Sequence, residues 1–161
     1  MNFSVLLSVY VKEKPSFLKT ALHSIFEGQT LKPNEIILVQ DGPLTPELEK
    51  VIYDYKNTHP TILKLVVLEK NKGLALALNY GLKECTNELI ARMDTDDIST
   101  RDRFQKQVSF LKCNEEIDVV GTYISEINED GEVLKEEVKF PKDHLSLFNF
   151  FKKRDPIAHP T

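Results

Sequence analysis

A chain of 161 residues, 41% hydrophobic and 29% charged, has the size and make-up of one soluble globular domain with a core of its own. Its formal net charge of −4 argues against a general nucleic-acid binder, which is ordinarily basic. The opening MNFSVLLSVYV is apolar, yet it lacks a basic leader and a small-residue cleavage site, and it is far too short to span a bilayer.

In chain order, FSVLLSVY is a continuous apolar run of strand length, as expected for a parallel strand covered on both faces. After Pro15, Phe17, Leu18, Ala21, Leu22, Ile25 and Phe26 recur at helical spacing. EIILVQ is a second buried strand, closed by the turn signal Asp41-Gly42-Pro43. Thr45 suits the cap of the next helix, with Pro46 at its first position and Glu47 and Glu49 near the positive end of its dipole. ILKLVVLE, LALALNYGLKEC and ELIARM follow as strand, helix and strand. Ser99 or Thr100 is placed to cap a helix with Phe104, Val108 and Leu111 on one face. IDVVGTYISEI and GEVLKEEVKF then read as two strands joined through Glu129-Asp130-Gly131. The final DPIAHPT, ending at Thr161, reads as a loop.

The alternation is that of a doubly wound sheet with right-handed crossovers. The expected fold is therefore an α/β/α sandwich with a mostly parallel central sheet and a small antiparallel second sheet. No repeat, low-complexity segment or linker divides residues 1–161. Cys85 and Cys113 form no CxxC pattern, sit in apolar helical contexts and read as two buried thiols of a reducing, cytosolic compartment. Lys152-Lys153-Arg154 is the only compact basic run, either solvated surface or a contact for phosphate or a membrane.

Ligands of doubly wound sheets sit outside the carboxyl ends of the strands. Three features fall there: Ser8-Val9-Tyr10 after strand one, Asp41-Gly42 after strand two, and Asp94, Asp96 and Asp97 after strand four. Close carboxylates repel one another and suit a hard divalent cation such as Mg²⁺ or Mn²⁺, completed by water and substrate phosphates. A solvated acidic turn capping the next helix is the alternative. DTDDIST lacks the glycine of a calcium loop, and neither GxxxxGK[ST] nor GxGxxG occurs. An aspartyl-phosphatase reading fails because strand one ends in Ser8-Val9-Tyr10, without its nucleophile.

Four stretches, SVLLSVY, ILVQDGP, NKGLALALNYGL and ARMDTDDISTRDRFQKQVSFL, resemble in order and spacing the family 2 glycosyltransferases. Those enzymes have a Rossmann-like GT-A fold and nucleotide-sugar donors. PIAHPT resembles a further segment of the family near the acceptor side. The resemblance implies donor contacts at Ser8, Val9, Tyr10, Asp41, Asn71, Gly73, Asn79, Arg92, Asp94, Thr95 and Asp96. It implies metal contacts at Asp94, Asp96 or Asp97, with His159 approaching the metal or the diphosphate. Arg92 and Arg101 would answer phosphate or balance the carboxylates. As residues alone, Tyr10 equally reads as a core aromatic at a strand end, Asp41 as a turn former, and Gly73 as a plain loop-to-helix turn. The chain departs from the family pattern at Val11, Gln40, Pro43 and Leu78, which bears on uridine more than on nucleotide-sugar binding.

The implied reaction is inverting transfer from a nucleoside-diphosphate sugar to a glycan or glycolipid acceptor, with Mn²⁺ or Mg²⁺, in polysaccharide or cell-envelope synthesis. The family's catalytic base lies downstream of the H-P segment, so by the resemblance it is expected beyond Thr161. Residues 1–161 are then expected to form one donor-binding domain, truncated before the base and weak in transfer by itself. Two alternatives stand beside it: a sugar-phosphate nucleotidyltransferase, disfavoured because VKEKPSF has no glycine, and a non-catalytic binding module. The opening strand and the unpaired cysteines make a cytoplasmic protein the expectation, with Lys152-Lys153-Arg154 the candidate for any peripheral contact at the inner face of the membrane.

Overall fold

A computed structural model describes residues 1–161. Strand β1 (Phe3–Val9) lies between β2 (Glu35–Asp41) and β4 (Leu89–Arg92), and β3 (Leu63–Leu68) pairs with β2 at the outer edge. All three pairings are parallel, giving the order β3-β2-β1-β4. Helices α1 (Pro15–Ile25), α2 (Pro46–Thr58) and α3 (Leu74–Leu82) supply the crossovers, and α4 (Arg103–Cys113) follows β4.

The pleat of β1 divides the core in two. Phe3, Val5, Leu7 and Val9 face a fifteen-residue cluster with Leu18 and Leu22 of α1, Leu48 and Ile52 of α2, and Phe104 and Val108 of α4. Leu6 faces the other way, onto Ile37, Val39 and Ala77 beneath α3. Phe3 and Phe104 meet edge to face with ring centroids 5.1 Å apart, which ties α4 to the centre of the sheet. On the opposite side Gly81 lets α3 settle closely: a Cβ there would stand 2.5 Å from both Leu6 Cδ1 and Val39 Cγ2. The three-layer arrangement read from the sequence is the one observed.

The cap at Thr45 also forms as expected, its Oγ1 accepting from the backbone N–H of Leu48 at 3.3 Å. The cap of α4 does not. Ser99 and Thr100 lie ahead of the helix, its N-cap is Asp102, and that side chain makes no capping bond. Gln29, from the loop after α1, substitutes: its Oε1 accepts from Phe104 N at 3.3 Å while its Nε2 donates to the carbonyls of Ser24 and Thr100. A partner 75 residues away is invisible to local spacing.

The second sheet is the expected antiparallel hairpin, β5 (Ile124–Ile127) with β6 (Val133–Val138), but its first limb is shorter than the sequence suggested. Residues 117–123 run irregularly because the closing segment returns against them; a Cβ on Gly121 would lie 2.3 Å from Ile157 Cγ2 and 3.2 Å from Thr161 Oγ1. The hairpin turn is organised by Asn128, whose Oδ1 accepts from the backbone N–H groups of Asp130 and Glu132. A short helix, α5 (His144–Phe151), was not read from the sequence; Asp143 caps it through Ser146 N. The two thiols are also not both buried: Cys85 is half-buried just past α3, and Cys113 is exposed at the end of α4. No helix is long and apolar enough to cross a membrane.

Candidate functional site

A cleft of ≈ 530 Å³ opens at the carboxyl edge of the parallel sheet, and two of its twelve lining residues are hydrophobic. From the end of β1 come Ser8, Tyr10 and Glu13; from β2, Asp41; from the approach to α3, Asn71, Gly73 and Leu74. Asp94, Thr95, Asp96 and Asp97 form the wall beyond β4, and His159 reaches in from the closing segment. The strand ends and the returning chain thus converge on one polar pocket. Tyr10 is 44% exposed, so its ring is free to stack on a planar ligand.

Asp41 is nearly fully buried and acts as an anchor for the loop entering α3. Its Oδ1 accepts from Lys72 N at 2.7 Å and its Oδ2 from Gly73 N at 3.0 Å. Its backbone carbonyl lies 3.4 Å from the Asn71 amide nitrogen. The carboxylate therefore satisfies orphan donors at the start of α3, where the helix dipole also favours negative charge. Gly42 makes the close approach possible: φ is +88°, and a Cβ would stand 2.6 Å from Asn71 N. Gly73 also has positive φ (+84°), in open space at the N-cap of α3.

The acidic wall rests on two arginines. Arg92 contacts Asp94 through Nη2, which also lies 3.2 Å from His159 Nδ1. His159 Nδ1 is in turn 3.3 Å from Asp94 Oδ2. The Nε and Nη1 of Arg92 are buried without a partner. Arg103 lies buried beneath, donating to the carbonyl of Arg92 at 2.8 Å and to Gln107 Oε1 at 3.0 Å. Burial, helped by the charge of Arg92, lowers its pKa to about 10. Desolvation, then repulsion from Asp96 and Asp94, raises the pKa of Asp97 to about 6 despite the opposing pull of both arginines.

The donor set fits a divalent cation. Three carboxylates share one wall, of which Asp94 alone is ion-paired, and every donor except His159 is oxygen. No group of three or more acidic, histidine or cysteine side chains forms a ready-made cage. A hard ion there would be held by one or two carboxylates, with the remaining positions taken by water and phosphate.

Among the residues expected from sequence, Ser8, Tyr10, Asp41, Asn71, Gly73, Asp94, Thr95, Asp96, Asp97 and His159 all line the cleft. Three do not. Val9 is fully buried and faces α1 and α2, because the pleat turns it away from its neighbour Ser8. Asn79 is exposed on α3, outside the lining. Arg92 stands behind the wall, in contact with Asp94. Thr161, the position beyond which the base is expected, also lies outside the lining. Its hydroxyl donates to the Ala158 carbonyl at 2.7 Å, closing the turn that carries His159 into the cleft. Glu13 and Leu74 were not foreseen. The signal for Glu13 was its place on the loop after strand one, next to the ligand edge.

Comparison with solved structures gives the class. S. aureus TarS residues 1–349 in complex with UDP-GlcNAc superposes with a TM-score of 0.60 at 25% identity, over 71% of this chain and 32% of that one. A Pyrobaculum calidifontis mannosyltransferase in complex with GDP-Man and Mn²⁺ superposes with a TM-score of 0.63 at 23% identity, over 78% of this chain and 36% of that one. The fold is that of the GT-A glycosyltransferases.

The family follows from the sequence profile described as "Glycosyl transferase family 2", which matches residues 4–160. The chain belongs to glycosyltransferase family 2. It is 42% identical over 158 residues to the amylovoran biosynthesis glycosyltransferase AmsE of Erwinia amylovora, covering 98% of this chain and 57% of that protein. It is 36% identical over 160 residues to the UDP-Gal:alpha-D-GlcNAc-diphosphoundecaprenol beta-1,3-galactosyltransferase of Escherichia coli, covering 99% of this chain and 56% of that protein. The chain thus spans a little over half the length of these curated relatives.

Proposed function

We propose that residues 1–161 bind the donor of an inverting, metal-dependent glycosyltransferase, which moves a sugar from a nucleoside-diphosphate sugar to an acceptor hydroxyl. The observation that carries the reading is convergence: the acidic wall Asp94–Asp97, the loop anchored by Asp41 and the ring of Tyr10 meet in one cleft. Tyr10 offers a stacking surface for a base, and a cation on the acidic wall would suit a diphosphate beside it. Mn²⁺ or Mg²⁺, held by Asp96 with Asp94 or Asp97, would neutralise charge on the departing diphosphate. UDP is the favoured nucleotide, given the named activity of the E. coli relative and the ligand of TarS. The amylovoran relative and the E. coli relative, named for a lipid-linked acceptor, support a role in polysaccharide or cell-envelope glycan assembly.

No base is assigned within residues 1–161. Asp143 is occupied in capping α5, and Asp155 lies on the exposed loop after it, outside the cleft. The same reading extends to a cytoplasmic protein with peripheral contact at the membrane's inner face. Its support is α5, which turns Leu145, Phe148 and Phe151 outward beside Lys152, Lys153 and Arg154. Sedimentation with phosphatidylglycerol vesicles at low salt checks that part, and failure to co-sediment would refute it.

Calorimetric titration of UDP, with Mn²⁺ and with EDTA, tests the central reading. Binding should require the metal and weaken at least ~10-fold in Asp96→Ala, a loss of ~1.4 kcal/mol. Equal binding in EDTA would refute the metal role. Silence from UDP, GDP and TDP alike would refute donor binding.

A further inference from the structure

We propose that Glu13 is a positioning residue for the acidic wall, holding Thr95 so that Asp94 and Asp96 stand where a metal-bound diphosphate needs them; this rests on the donor-binding reading above. Thr95 sits between those two aspartates, and unlike the exposed Asp96 it is buried. Its hydroxyl donates to Glu13 Oε2 at 2.7 Å, and the carbonyl of Ser8 lies 3.4 Å from the same oxygen. A hydroxyl has one proton, and the nearer, charged acceptor takes it.

Glu13 is itself fixed from both sides. Its backbone N–H donates to the Tyr10 carbonyl at 3.1 Å, closing a turn that folds the loop back over the end of β1. Its Oε1 accepts from Lys14 N at 2.7 Å. Lys14 continues the tie to Glu129 on the β5–β6 hairpin at 2.5 Å. One side chain therefore joins the loops after β1 and β4, and through its neighbour the second sheet.

Glu13 brings a further carboxylate to a cleft already lined by Asp41, Asp94, Asp96 and Asp97. Two roles are open to it: ligand to the cation, or brace for Thr95. The geometry favours the brace, because Oε2 faces Thr95 and Oε1 faces a backbone N–H. The two roles separate experimentally. A brace acts through the Thr95 hydroxyl, so removing either partner has the same effect and removing both adds little. A ligand acts alone, so Thr95→Val leaves it working.

The test measures Mn²⁺-dependent UDP affinity by calorimetry for the wild type, Glu13→Ala, Glu13→Gln, Thr95→Val and the Glu13→Ala/Thr95→Val double variant, with a thermal midpoint for each. Glu13→Ala and Thr95→Val should each weaken affinity ~10-fold, the double variant should match either one, and Glu13→Gln, which keeps an acceptor, should stay within ~3-fold. All affinities are read well below the lowest midpoint, so a purely structural role would move the midpoints and leave the affinities alone. Additive losses, unchanged affinities, or a loss confined to Glu13→Ala would overturn the proposal. Absence of UDP binding by the wild type would instead sink the donor-binding reading.

Discussion

Replacing Asp97 by Asn removes a charge that the folded protein holds against its own preference. Burial and the neighbouring Asp96 and Asp94 raise its pKa from 3.8 to about 6. At ~1.4 kcal/mol per pH unit that rise corresponds to about 3 kcal/mol. Asp97 is only half-buried, so water screens the field, and about half of the figure, ~1.5 kcal/mol, should survive. The sign follows from the proton. Below pH ~4 both folded and unfolded chains carry it, and Asp and Asn are equivalent. Between pH ~4 and about 6 the unfolded chain releases it first, so the penalty on the wild type grows, and above about 6 it is complete. Asp97→Asn should therefore melt ~3–6 °C above the wild type at pH 7.5 and together with it at pH 4. Millimolar Mn²⁺ should raise the wild-type midpoint more than the variant's, because the cation relieves the same repulsion. Thermal unfolding at the two pH values, with and without Mn²⁺, measures all of this. A variant less stable than the wild type at pH 7.5, or a difference independent of pH, would refute the argument.

The other expectations concern the frame of the site. Gly42→Ala should cost ~3 kcal/mol or more, because strain at φ +88° adds to a Cβ 2.6 Å from Asn71 N. Gly73→Ala, at a similar φ but in open space, should cost only ~1 kcal/mol, and equal losses in urea titrations would contradict this. Gln29→Ala removes one side chain that bridges Ser24, Thr100 and Phe104, and should cost ~2–3 kcal/mol. Hydrogen exchange should accelerate first at the Phe104 amide, and acceleration spread evenly over α4 would speak against a local cap.

Much of the molecule was legible because its causes are local. Strand-length apolar runs and helical spacing depend on neighbours a few residues apart, so the four parallel strands and their crossovers could be read directly. The cap at Thr45 was legible for the same reason, its partner being Leu48, three residues on. Asp94, Asp96 and Asp97 announced themselves by proximity in sequence, and the rule for strand ends put them on the ligand edge. The cap of α4 depends on Gln29, the brace of Thr95 on Glu13, and the entry to α3 on Asp41, partners 31 to 82 residues distant. Val9 shows the limit at its smallest scale. Its position beside Ser8 was plain, but which face of the pleat it took depended on the helices packed against the sheet. Hydrophobic periodicity dictates which segments pair and what they bury. Which polar group meets which across the cleft is decided only when the sheet closes, because each such bond forms between elements that sequence order keeps apart.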